Sequence, residues 1–373
     1  MSIKIAFFSF ADIDNFGDIL FSHIFKMEME KRIENPIIDF YSPSNYSVEG
    51  IDYIAYSKEK IAENAYDALI VFGGEVIHLF DERTWKPIYT KNNQILETEL
   101  PSDIIFDWTD LVGPFKAWIS VGVRPIEKEE HFLKIQKAIE NLNYVSVRGN
   151  LSKKMLEGGN LQTNNSKIEI TPDMGWLFPN LLDYTNTKGK FYKEYVPQEE
   201  YLIFQINNIT IEEAKEIAQY LYQFQKEENI QVVLLPVIRP WEDYKYLKMI
   251  WDEFPDEFIL LNNDLNILEI ADTIVHSSLT LTSSLHANIT ALSAGIPAGI
   301  MNKWQGTKLQ DLYGHQFRLH MLKHQLGEMP DLLSSLIEEK EEGTELLRNY
   351  SKFMKSSLNN LFDQLVNKIS NHG

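Results

Sequence analysis

No cysteine occurs among the 373 residues. Its absence excludes disulfides, thiolate nucleophiles and cysteine-ligated zinc. Positive charge is scarce as well: 35 Lys and Arg stand against 54 Asp and Glu, a formal net charge of -19. That balance argues against a nucleic-acid partner, because phosphates need basic patches, and against broad adhesion to anionic lipid. An anionic substrate must therefore be held by a local cluster of donors. Long hydrophobic runs are also missing. Nothing approaches the roughly 20 apolar residues of a membrane span. The opening apolar run, cut off by Asp12 and Asp14, is too short for a signal peptide and reads as a first buried strand. A cytoplasmic protein is the expectation. The chain lacks HExxH, GxSxG, GxGxxG and a Walker loop, and its histidines are scattered, so neither a metal nor a redox cofactor is expected.

Hydrophobic residues make up 44% of the chain, enough for two cored domains. Apolar runs of strand length alternate with helical spacing: Ile3–Phe10, Ile37–Tyr41, Tyr66–Phe72, Phe115–Val121 and Tyr144–Val147 in the first half, Tyr201–Ile206, Ile230–Val237 and Phe258–Leu261 in the second. Two of these runs stop at glycine, Gly73 and Gly122. Continuous apolar strands alternating with helices indicate parallel sheets with right-handed crossovers. The predicted fold class is α/β: two doubly wound, Rossmann-like parallel-sheet domains at 1–185 and 199–325, with C-terminal helices over 326–373 packing back on them. The polar stretch Thr185–Gln198 is the predicted linker. Such a pair places a ligand cleft at the carboxyl ends of the strands.

The most informative stretch runs from Asp272 to Met301. It reads as a short strand, a polar turn carrying His286, a small-residue helix and a further strand after Pro297. A helix N-terminus offers unbonded N–H groups and partial positive charge to an anion. Taken alone, His286 is as readily a capping or packing residue. Each other candidate has a similar plain alternative. Asp14-Asn15-Phe16-Gly17-Asp18 either contacts hydroxyls or caps a helix. Gly73-Gly74-Glu75 either admits a ligand to the backbone or ends a strand. Arg124 aims at the cleft or pairs with Glu127, Glu129 or Glu130. Arg148 recognises a carboxylate or phosphate, or forms an ion pair with Asp173. Arg239, Glu242 and Asp243 are expected at the cleft. Lys308 is a second anion contact or a solvated lysine.

Taken in order, DNFGD (Asp14–Asp18), ALIVFGGE (Ala68–Glu75), VSVRGNLS (Val145–Ser152), TPDMGWL (Thr171–Leu177), SSLHANITALSAGIPAGIM (Ser283–Met301) and Lys308 resemble the polysaccharide pyruvyl transferase family. The resemblance implies a GT-B-like fold and transfer of pyruvate from phosphoenolpyruvate to a sugar of a cell-wall or exopolysaccharide glycan, giving a ketal. It implies His286 as general acid and Asp18 as base. It implies Arg148, Ser284, Leu285 and Lys308 around the donor, and Asn15, Gly73, Gly74 and Glu75 around a sugar or lipid-linked glycan acceptor. A homo-oligomer is left open. The sequence departs from the family pattern in three places. Ser284 stands where arginine precedes the histidine in R-x-H, Glu75 replaces a third glycine, and Gly149 replaces the acid after the arginine. Losing one charge-assisted hydrogen bond from an anion site costs ~1.5–3 kcal/mol. Two other readings stand beside this one: a GT-B glycosyltransferase using a nucleotide sugar, and a catalytically degenerate glycan-binding protein.

Overall fold

The computed structural model describes residues 3–77, 104–126, 128–158, 167–196, 198–239, 242–303, 307–315 and 318–372. The chain divides into two compact units, Met1–Met174 with Ser356–Gly373, and Gly175–Lys355.

The first unit holds an eight-stranded sheet in the order β3-β4-β2-β1-β5-β6-β7-β8. Its strands are β1 Lys4–Phe8, β2 Ile37–Ser42, β3 Tyr46–Val48, β4 Ile51–Ala55, β5 Ala68–Phe72, β6 Phe115–Val121, β7 Tyr144–Val147 and β8 Ile168–Ile170. Every pairing is parallel except β3 with β4. β1 and β5 are buried along almost their whole length, as expected of strands covered on both faces. The sequence reading missed β3 and β4, where a glutamate and a glycine (Glu49, Gly50) form the turn between two short strands at the sheet edge.

The second unit holds a parallel sheet in the order β11-β10-β9-β12-β13-β14. Its strands are β9 Tyr201–Gln205, β10 Gln231–Leu234, β11 Ile259–Leu260, β12 Leu279–Thr282, β13 Ala298–Met301 and β14 Leu322–Lys323. In each sheet the winding reverses beside the first strand of the unit, at β1–β5 and at β9–β12. A crevice opens at such a reversal, just past the carboxyl ends of the strands. The loops after β1, β5, β9 and β12 are therefore the ones placed to meet a ligand.

The units divide at Met174–Gly175, ahead of the stretch read as a linker. Residues 189–192 are held inside the second unit by the buried carboxylate of Asp272, which accepts from the backbone N–H of Gly189 (2.6 Å), Phe191 (2.8 Å) and Tyr192 (3.2 Å). The last helix, Glu345–Ser370, begins in the second unit and ends in the first. In the first unit its Phe362 is fully buried, stacked on Phe72 at 5.9 Å and against Phe25 at 6.4 Å. Arg32, paired with Glu28, also reaches Asp363 at 2.7 Å. Among the described residues, no helix is long and apolar enough to cross a membrane. Removing a buried phenylalanine ring costs about 3–5 kcal/mol. Phe362→Ala is therefore expected to lower unfolding stability in urea by that order, and a loss under about 1 kcal/mol would show that the ring is not part of this core.

Candidate functional site

In the first unit, Asn15 caps the helix Phe16–Glu30, its side chain accepting from the N–H of Gly17 at 3.0 Å. Asp18 falls in the first turn of that helix, where a carboxylate is favoured by the helix dipole. The next loop comes to meet it. Gly73 and Gly74 both have positive φ (61° and 64°). A Cβ at Gly73 would lie 2.7 Å from the Phe21 ring, and one at Gly74 would lie 3.1 Å from Asp18 Oδ1. These are glycines by backbone shape and by space, and they let the loop after β5 close onto Asp18. Asn15, Asp18, Gly73, Gly74 and Glu75 thus lie on two loops packed together at the switch point of the first sheet.

Glu75 pairs with Arg124 at 3.1 Å. Glu75 is a partner beyond those considered from sequence, of which Glu127 lies outside the described residues. β5 and β6 are neighbours, so the loops at their carboxyl ends meet across the sheet. The N–H of Gly122 donates to Gly74 O at 2.7 Å, and the N–H of Arg124 to Ile77 O at 3.1 Å.

Arg148 follows β7 and is 8% exposed. Its guanidinium lies on Gly122, where a Cβ would stand 2.6 Å from Nη2, and Nη1 donates to Asp173 at 3.2 Å. The Nε–H is buried without a hydrogen-bond partner. A buried pair of this kind fixes geometry, because removing either partner strands a charge. Beneath it lies a hydroxyl cluster absent from the sequence reading. Ser120 has φ 52° at an irregularity in the β6–β7 register. Its N–H donates to Ser146 Oγ (2.9 Å), and its hydroxyl donates to Pro172 O (2.8 Å). Thr171 bridges Ser146 and Ser120 at 2.8 Å each. These bonds hold the ends of β6, β7 and β8 in one arrangement around the ion pair.

In the second unit, β12 ends at Thr282 and the helix Leu285–Ser293 starts three residues later. Ser284 is the N-cap, accepting from the N–H of Ala287 at 3.4 Å. The position where the family pattern has arginine is thus a buried helix cap. Leu285 and His286 are the first two helical residues, so their N–H groups have no carbonyl of their own helix to bond. Lys308, half-buried, sits in the helix Thr307–His315 that follows β13.

Asp243, expected to face a cleft, is fully buried. Oδ2 accepts from Gln205 Nε2 (2.8 Å), Ile238 N–H (2.9 Å) and Val237 N–H (3.3 Å), and Oδ1 from Asn207 Nδ2 (3.2 Å). Burial raises its pKa to about 6 against these lowering bonds. Arg239, also expected at a cleft, turns back to its own unit, donating to Asn263 O (2.9 Å) and Leu265 O (2.7 Å). With Tyr244, Asn262, Asn263 and Asp264 it lines an open pocket of about 540 Å³. Residues 240–241 and 304–306, also considered from sequence, lie outside the described residues.

The polysaccharide pyruvyl transferase model matches residues 15–302. The chain belongs to that family. No curated protein matches it in a sequence comparison. Solved structures of similar fold include the UDP-GlcNAc 2-epimerase of Methanocaldococcus jannaschii in complex with UDP-GlcNAc and UDP. Its TM-score is 0.55 and its identity 11%, covering 95% of this chain and 100% of that one. Another is the UDP-GlcNAc 2-epimerase of Neisseria meningitidis bound to UDP-GlcNAc, with TM-score 0.54 and identity 14%, covering 96% and 99%. At such identities the likeness establishes the fold alone: two parallel-sheet α/β domains of the GT-B kind.

A raised carboxyl pKa has a definite sign in stability. Folded Asp243 holds its proton up to about pH 6, whereas the unfolded group releases it near 3.8. The native state binds more protons in that window, so this group's contribution falls as pH rises from about 4 to about 6 and is level above. Relative to Asp243→Asn, the wild type is expected to lose stability on the order of 3 kcal/mol across the window. Chemical denaturation of both proteins at pH 4, 5, 6 and 7 measures it, and parallel curves would refute the assignment.

Proposed function

We propose that this family member transfers a pyruvyl group from phosphoenolpyruvate to a sugar of a cell-wall or exopolysaccharide glycan, free or lipid-linked, in the cytoplasm. The observation that carries the reading is His286 in the first turn of a helix that opens at the carboxyl end of β12, beside the switch point of its sheet. A dianionic enol phosphate suits that position, where the N–H groups of Leu285 and His286 and the helix dipole favour negative charge.

His286 protonates the methylene carbon of the enol, and the resulting cationic centre at C2 is attacked by a sugar hydroxyl. Phosphate leaves from C2, and a second hydroxyl of the same sugar replaces it to close the ketal. Histidine suits the acid role because its ordinary pKa lies near neutrality. Asp18, with Asn15, takes the acceptor hydroxyls and their protons, and the Gly73-Gly74 turn packed against Asp18 forms part of the acceptor side. Lys308 holds donor oxygens as a point charge. Arg148 is a fixed positive group with one unsatisfied Nε–H, locked by Asp173 and Gly122 rather than reaching out as a mobile ligand. Ser284 caps the helix and supplies no charge, so the donor depends more heavily on the helix N-terminus and Lys308 than in members with R-x-H.

His286→Ala is expected to reduce phosphate release from phosphoenolpyruvate in the presence of acceptor by about 10²–10⁴-fold, the usual share of a general acid. Lys308→Ala should raise KM for phosphoenolpyruvate with a smaller effect on kcat. Near-wild-type turnover in His286→Ala would remove the histidine from the mechanism. Thermal stabilisation by UDP-GlcNAc with none by phosphoenolpyruvate would favour a nucleotide-sugar donor instead.

A further inference from the structure

The turn that carries His286 is held from outside its own helix. The N–H of Ser283 donates to Gln205 O at 3.0 Å and to its Oε1 at 3.1 Å, and the Ser283 hydroxyl donates to the same Oε1 at 3.1 Å. The other end of the same amide, Nε2, donates to Asp243 Oδ2 at 2.8 Å. Asn302 Nδ2 donates to Ser283 O at 3.2 Å, and Asn288 Nδ2 donates to Ser284 O at 3.0 Å. Gln205 and Asp243 are both fully buried. Gln205 ends β9, Asp243 opens the helix after β10, and Ser283 follows β12, so one amide joins three neighbouring loops at the carboxyl edge of the sheet.

A glutamine amide has one accepting and one donating end. Ser283 presents two donors to it, so the oxygen must face Ser283. The opposite end enforces the same orientation. A carboxylate that already accepts from Val237, Ile238 and Asn207 can meet only the NH₂ group. We infer that Asp243 is a positioning residue for His286: through the fixed amide of Gln205 it sets the Ser283–Ser284 turn and so the aim of the imidazole. This inference rests on the proposed role of His286 but concerns the placement of the ring, which is measurable whatever the reaction.

The test labels the histidine rings with ¹³C and follows the Cε1–Hε1 cross-peak of His286, assigned as the signal that His286→Gln removes from the nine histidines. In Asp243→Ala the amide loses the partner of its NH₂ end, and in Ser283→Ala one of the donors to its oxygen is gone. The His286 peak is expected to move in both. It should stay in place in Asp243→Asn, because the asparagine oxygen takes over from Oδ2 while Asn207 turns its own amide to accept. In turnover, Asp243→Ala should lower kcat for phosphate release by about tenfold, as a small misplacement does, with KM within about twofold, and Asp243→Asn should restore it. Ser283→Ala serves where Asp243→Ala does not fold. A His286 peak unmoved in Ser283→Ala or in folded Asp243→Ala overturns the inference, as does an Asp243→Asn peak displaced as far as that of Asp243→Ala. Absence of phosphate release from the wild type would count against pyruvyl transfer, while the ring signals would still decide the positioning.

Discussion

A parallel sheet covered on both faces leaves its chemistry nowhere to go but the carboxyl ends of its strands. Both units of this protein are built on that constraint. β1, β5, β9 and β12 are buried almost throughout, so their side chains are committed to packing. Asp18, Gly73-Gly74, Gln205 and His286 stand at or just past their carboxyl ends. Each sheet reverses its winding between two of these strands, and the candidate residues collect at the reversals rather than along the sheet.

What differs between the units is how the loop ends are held. In the first, the clamp is a buried ion pair, Arg148 with Asp173, resting on Gly122 and on the hydroxyls of Ser120, Ser146 and Thr171. In the second it is a buried carboxylate and an amide, Asp243 and Gln205. Both are costly groups to bury and both have several partners, which is the condition under which such groups confer a single geometry. Of the stretches that resemble the family, Val145–Ser152, Thr171–Leu177 and Ser283–Met301 include these clamped loops. The departure at Ser284 falls on a residue with a structural duty, capping the His286 helix.

Much of the fold was legible in the chain because buried parallel strands are written as unbroken apolar runs, as in ALIVF before Gly73-Gly74. The strand and helix around His286 were legible for the same reason, with serines marking the turn and Pro297 preceding the next strand. β3 and β4 escaped because two short, partly polar edge strands have no such run. The site was harder. Glycines, Asp18 and His286 stand out by type and position. Gln205 does not, since a glutamine closing an apolar strand has no local signature and its partners are 38 and 78 residues away. Asp243 was noticed as a charge near a strand end, but a sequence shows a carboxylate without showing whether water or four donors surround it. Arg124 was given partners nearby in sequence, whereas the sheet order delivered Glu75.

Pyruvyl transfer as proposed depends on an anionic enol donor seated at the N-terminus of the His286 helix. A crystal structure of the protein with phosphoenolpyruvate tests this most directly. Carboxylate or phosphate oxygens are expected within hydrogen-bond distance of the N–H groups of Leu285 and His286, with the methylene carbon facing the imidazole. Phosphoenolpyruvate bound away from that helix, or an unoccupied helix N-terminus at saturating ligand, would contradict it.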